Sequence, residues 1–114
     1  MLNIENIKDE IVSSLLPLKP DKIILFGSYA NDTANEDSDI DLFLIKDNVS
    51  DMTNYEVEAK LHLLNFMKNN RTNGIDILSA SNEYLNSRDD YFYKDILENG
   101  KVLYERNTRS WVVK

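Results

Sequence analysis

The chain contains no cysteine, so it has neither a disulfide framework nor a thiolate metal site. It contains one histidine, His62, in a leucine-rich segment, where it reads as a helix flank and not as a ligand or base. Proline is confined to Pro17 and Pro20, and glycine to Gly27, Gly74 and Gly100. No linker, repeat or low-complexity tract breaks the chain, and its length is that of one domain with a single core. No apolar run approaches the roughly 20 residues that cross a bilayer. The opening Met1-Leu2-Asn3-Ile4-Glu5-Asn6 lacks the basic and apolar regions of a signal peptide, so a cytoplasmic location and no membrane contact are expected. Positive charge is also scarce. Thirteen Lys and Arg against twenty Asp and Glu leave a net charge of −7, which repels phosphate backbones and argues against general nucleic-acid binding. The same charge favours a basic protein partner.

What is present is periodic. Ile4, Ile7, Ile11 and Leu15 predict an amphipathic first helix, stopped by Pro17 and Pro20. Lys22 to Phe26 is a short apolar run that reads as a buried strand, followed by a short helix over 28–33 and a polar loop over 35–38. Asp39 to Lys46 reads as a second strand. Residues 52–69 read as one helix capped by Ser50 or Asp51, with Met52, Tyr55, Ala59, Leu63, Phe66 and Met67 on one face and Val57, Leu61 and Leu64 on the other. That second stripe is either covered by another element or presented to a partner. Asn73-Gly74 is a turn, and Ile75 to Leu78 a third strand. A capping box over 87–90 opens a helix through Tyr91, Phe92, Ile96 and Leu97, with Gly100 as its stop. Lys101 to Glu105 is a last edge strand, and 107–114, with Trp111, a tail. The alternation implies one domain over 1–106 of α/β (α+β) class, a small mixed β-sheet flanked by helices.

One constellation stands out. Gly27-Ser28 follows the first strand, and Asp39-Ile40-Asp41 opens the second about ten residues later. Residues two apart in a strand share a face, so Asp39 and Asp41 stand together while Ile40, Leu42 and Leu44 face the core. Aspartate is poor in strands and like charges on one face repel, which suggests a bound cation. Asp76, framed by Ile75 and Ile77, joins them if its strand is a neighbour. Such carboxylates suit Mg²⁺, and a two-metal arrangement with ions about 4 Å apart suits in-line phosphoryl or nucleotidyl transfer. Glycine at 27 permits close backbone approach, and N–H groups starting at Ser28, with its hydroxyl, can hold a phosphate.

Leu25-Phe26-Gly27-Ser28-Tyr29-Ala30, Asp37-Ser38-Asp39-Ile40-Asp41-Leu42 and Ile75-Asp76-Ile77 resemble the minimal nucleotidyltransferase family of the DNA polymerase β-like superfamily. The stretch from Ile96 to Glu105 is similar to that family's close, so the resemblance covers about residues 20 to 105. It implies a polymerase β-like nucleotidyltransferase fold, Gly27 and Ser28 at the nucleotide phosphates, and Asp39, Asp41 and Asp76 as catalytic metal ligands, with Asp76 as base. It further implies a Mg²⁺-dependent enzyme, with two ions, that moves AMP from ATP to a hydroxyl, typically a tyrosine, of a HEPN-domain toxin. The chain would then be the antitoxin of a type VII-like toxin–antitoxin pair.

Members often carry a basic residue and a glycine after Gly-Ser-x-Ala, where this chain has Asn31 and Asp32. That departure removes a positive charge near a triphosphate and sustains a second expectation, an antitoxin of the same fold that neutralises its toxin by binding alone. Other readings of the motif fit less well. A calcium loop starting at Asp37 needs Gly and Glu where Leu42 and Asn48 stand. Ser28 has no adjacent base to make it a nucleophile. A small-molecule acceptor such as an aminoglycoside needs an acidic pocket that no segment here encodes.

Overall fold

The computed structural model describes residues 3–106; the tail and Trp111 lie outside the described residues. Helix α1 spans Ile4–Leu15, where the Asn3 side chain accepts a hydrogen bond from the Glu5 N–H and so caps the first turn. Its buried face is Ile7, Ile11 and Leu15, and a 3₁₀ turn over Leu16–Leu18 carries Pro17. Strands β1 (Lys22–Phe26), β2 (Ile40–Ile45), β3 (Ile75–Ala80) and β4 (Lys101–Glu105) form one sheet in the order β3-β2-β1-β4. β1 is antiparallel to both β2 and β4, and β2 is parallel to β3, so the sheet is mixed as expected. No described helix is long and apolar enough to cross a membrane.

Each face of the sheet is covered by helices. One carries Ile23, Leu25, Ile40, Leu42, Leu44, Ile75 and Ile77 against α1, α2 (Met52–His62) and α3 (Leu64–Asn70). The other carries Ile24, Phe43, Ile45 and Ala80 against Ile96 of α5 (Tyr91–Asn99), with Leu85 of α4 (Asn82–Asn86) and Tyr93 packed on it. Phe26 belongs to this second face and meets Phe92 edge-on at 6.3 Å.

The structure corrects several element expectations. Residues 28–33 form consecutive turns and no helix: Ala30 and Asn31 both donate to the Gly27 carbonyl, then Asp32 takes φ 59° and breaks the helical path. Asp39 precedes β2 instead of opening it. The helix expected over 52–69 breaks at Leu63, whose ψ of 0° re-aims the chain so that Tyr55, Ala59, Leu63 and Phe66 all stay buried. α4 was not anticipated; Ser81 caps it by accepting from the Tyr84 N–H. The cap of α5 is Asp90, which accepts from the Phe92 N–H, while Ser87 closes α4. Gly100 does end α5, but in extended backbone, and close packing is what requires glycine there: a Cβ would lie 2.5 Å from Ile24 Cγ2.

Candidate active site

The second face of the sheet places the expected aspartates at one end, beyond the reach of α4. The parallel register sets Asp41 directly opposite Asp76 across β2 and β3, and the antiparallel register sets Asp41 opposite Phe26 across β1 and β2. Ile40, Leu42, Ile75 and Ile77 are buried on the first face, so the pleat turns the intervening carboxylates to the second. Asp41 is half-buried, whereas Asp39 and Asp76 are exposed.

This burial decides the electrostatics. Removal of water from Asp41 raises its pKa, and the neighbouring Asp76 raises it further by charge and by a shared hydrogen bond; Asp39 adds repulsion from farther off. Together they push Asp41 up to about 6. Asp41 therefore holds its proton more tightly than an open carboxyl does, first because it is half-buried and then because a like charge stands on the next strand.

Gly27 closes the other side. Its φ of +74° is left-handed, and a Cβ on it would lie 2.2 Å from Asp41 Oδ2, so only glycine lets the turn rest against that carboxylate. Ser28 is half-buried beside it. The N–H groups of Ser28 and Tyr29 take no part in backbone hydrogen bonds among the described residues, and so are free to meet an anion. The chain after Gly27 thus presents turn amides where a helix N-terminus was expected. A cleft of about 270 Å³ adjoins it, lined by Gly27, Ala30, Asn31, Phe92 and Asn99 among others.

Gly74, read from sequence only as a turn residue, belongs to the same structure. Its carbonyl accepts from the Ile40 N–H, and a Cβ on it would stand 3.0 Å from Asp39 Oδ1. The Asn73-Gly74 turn just before Ile75 is its one signal in the sequence. His62 is exposed at the end of α2, away from these residues.

The donor set is all oxygen, which fits a hard divalent cation, and cation charge would relieve the repulsion that raises Asp41. Among the described residues, however, no group of three or more acidic or imidazole side chains is gathered tightly enough to hold an ion by itself. The fit is to a cation that keeps water or substrate oxygens in its shell, as Mg²⁺ does.

Comparisons with known proteins bear on the fold and the family. The family model described as Polymerase beta, Nucleotidyltransferase matches residues 5–109. A Methanocaldococcus jannaschii protein named as a protein adenylyltransferase is 37% identical over 84 residues, covering 73% of this chain and 77% of its own. Among solved structures, a chain from a toxin–antitoxin crystal structure with AMP-PNP superposes with a TM-score of 0.64 at 20% identity, covering 92% of this chain and 78% of that one. A chain from the tri-AMPylated Shewanella oneidensis HEPN toxin in complex with MNT antitoxin gives 0.59 at 18% identity, over 96% and 79%. At such identities these two likenesses speak for the fold.

Proposed function

Because the chain belongs to the polymerase β nucleotidyltransferase family, we propose that it transfers AMP from ATP to a hydroxyl group of a partner protein. The observation that carries this reading is Asp41, held opposite Asp76 on the next strand and against Gly27 at the head of the turn. A carboxylate pair able to hold a divalent cation, beside turn amides, suits a polyphosphate. The name of the M. jannaschii relative and the AMPylated toxin among the structural neighbours support a protein acceptor of HEPN type; in this reading the hydroxyl modified is a tyrosine's. The chain is then the antitoxin of a type VII-like pair.

In this reading Gly27 and Ser28, with the turn amides of Ser28 and Tyr29, would hold the β- and γ-phosphates, and Asp39, Asp41 and Asp76 would hold Mg²⁺, two ions in the full site. The bound metal supplies charge neutralisation of the phosphates and a lowered pKa for the attacking hydroxyl. The acceptor oxygen attacks the α-phosphorus in line with the leaving group. Its proton passes to the Asp76 carboxylate, the bond from α-phosphorus to the bridging oxygen breaks, and pyrophosphate departs with that electron pair. AMP remains on the acceptor as a phosphodiester. Asp76 is suited to the base role because it is solvent-exposed and so open to an incoming acceptor.

The test is transfer of label from α-labelled ATP, with Mg²⁺, to the protein encoded beside this one. Asp39→Ala combined with Asp41→Ala should reduce transfer by about 10³-fold or more, since both act in the transition state. A second reading, neutralisation by binding alone, is favoured by one observation: residues 27–41 carry no Lys or Arg. If the double variant neutralises the toxin as well as the parent does, and neither transfers label, the second reading replaces the first.

A further inference from the structure

We propose that the flank of α5 bearing Phe92 and Asn99 is the nucleobase subsite of this centre: the Phe92 ring stacks on the base, and the Asn99 amide selects adenine. This assignment rests on the nucleotidyltransferase reading and deepens it by naming the residues that choose the nucleotide.

The placement follows from the sheet. Phe26 and Asp41 are register partners on β1 and β2, so their side chains stand next to each other on the second face. Phe92 meets Phe26 edge-on, with ring centroids 6.3 Å apart, and so lies one strand over from Asp41 on that face. The helical period of α5 brings two more residues to the same place. Ile96 is buried in the core of this face and Tyr93 packs on Phe43. Phe92, Asp95 and Asn99, spaced by three and four, then run along one flank of the helix. All three line the cleft of about 270 Å³ that Gly27 also borders. Two larger clefts lie elsewhere. One of about 660 Å³ is at the other end of the strands, beside Asp47 and Ala80, and one of about 400 Å³ is beside Asn3 and Ile4 at the start of α1.

A nucleotide fits the order of these residues. With its β- and γ-phosphates on the Ser28 and Tyr29 amides and its α-phosphate beside Asp41, the ribose crosses Phe26 and the base arrives at Phe92. Charge separates the two ends. The lining of the cleft contains no Lys or Arg and includes Asp95, which repels a phosphate but not an uncharged base. Phe92 is 48% exposed, so ring surface remains for a base to cover. Asn99 adds selection. Its Nδ2 donates to Asp95 Oδ1 at 2.7 Å, and because an ionised carboxylate only accepts, that pairing fixes which way the amide is turned. One N–H and the carbonyl oxygen of Asn99 remain, the combination that matches a ring nitrogen and the exocyclic amine of adenine. Guanine has a carbonyl where adenine has that amine, so oxygen would face oxygen.

The experiment is calorimetric titration of the full chain, at fixed Mg²⁺, with non-hydrolysable ATP and GTP analogues and with inorganic tripolyphosphate, which reports the phosphate end alone. The parent should bind the ATP analogue about tenfold more tightly than the GTP analogue. Phe92→Leu keeps apolar packing on Phe26 but removes the aromatic face. It should weaken both nucleotides by about tenfold and leave tripolyphosphate unchanged, while Phe92→Tyr retains the parent affinities. Asn99→Ala should abolish the preference for adenine, again with tripolyphosphate unchanged. Three results overturn the proposal while leaving the nucleotidyltransferase reading intact. They are a parent without preference for adenine, a Phe92→Leu variant that binds nucleotides as the parent does or loses tripolyphosphate equally, and an Asn99→Ala variant that keeps the preference. If Phe92→Leu fails to fold, the exposed Asn99 decides: a lost preference supports the subsite and a retained one overturns it. A parent chain that binds none of the three ligands overturns both readings.

Discussion

At the scale of single residues, the site is held by one glycine and one carboxylate. Gly27 combines a left-handed backbone with a contact that excludes any side chain. Gly27→Ala should destabilise the fold by about 2 kcal/mol from backbone conformation, and more if Asp41 cannot move aside. Urea denaturation measures the first effect, and loss of nucleotide binding in the protein that remains folded measures the second. Asp41 predicts a pH dependence with a definite sign. Its folded pKa, about 6, lies above its ordinary value of 3.8, so folding favours the protonated form. This group therefore subtracts stability as pH rises through the window from about 4 to 6, and the loss is complete above it. Asp41→Asn should stabilise the metal-free protein at pH 7.5 by about 1 kcal/mol, a figure discounted for the solvent that reaches a half-buried group. The gain should vanish near pH 4. Denaturation curves in chelator at both pH values check it, and equal stabilisation at both would contradict the pair repulsion.

At the scale of elements, the α2–α3 segment shows what periodicity conveys. The apolar positions of residues 52–69 were correctly paired as to face: Tyr55, Ala59, Leu63 and Phe66 are buried, while Val57, Leu61 and Leu64 are each more than half exposed. The break at Leu63 was not legible, because a helix that changes direction by one residue keeps its apolar spacing. The exposed stripe contributes little to folding. Leu61→Gln with Leu64→Gln should leave unfolding free energy within about 0.5 kcal/mol of the parent, whereas Phe66→Ala should cost about 3–5 kcal/mol. Chemical denaturation of the three proteins separates the cases, and a large loss from the glutamine pair would mean that the stripe is covered. The segment after Gly27 is the contrary case. Its composition permitted a helix, but Asp32 in left-handed backbone ends the first turn, so the segment offers turn amides instead of a helix N-terminus. The short α4 was missed because five residues hold too few periods to show amphipathicity, although Ser81 before Asn82 was a cap signal.

At the scale of the whole molecule, the sheet order joins these parts. A β3-β2-β1-β4 arrangement with a parallel β2–β3 pair brings Asp76 beside Asp41 and leaves β4 on the other side of β1. Alternation within each strand already assigned the faces: residues Ile40, Leu42, Ile75 and Ile77 had to be buried, and the aspartates between them had to turn the other way, because the side-chain period of a strand is two. The motif residues and the family they resemble were equally legible, since their chemistry lies in residue type and short spacing. Strand adjacency was not, because it is set by which apolar faces pack together across long stretches of chain. Hence the sequence alone determined that Asp39, Asp41 and Asp76 form one candidate set and that its surroundings are acidic. Only the tertiary structure decided that Asp41 is the member whose acidity is shifted, since burial and the register opposite Asp76 exist only in the folded sheet. It likewise decided that the Gly-Ser turn rests against Asp41, a contact between residues far apart in the chain that no local pattern encodes.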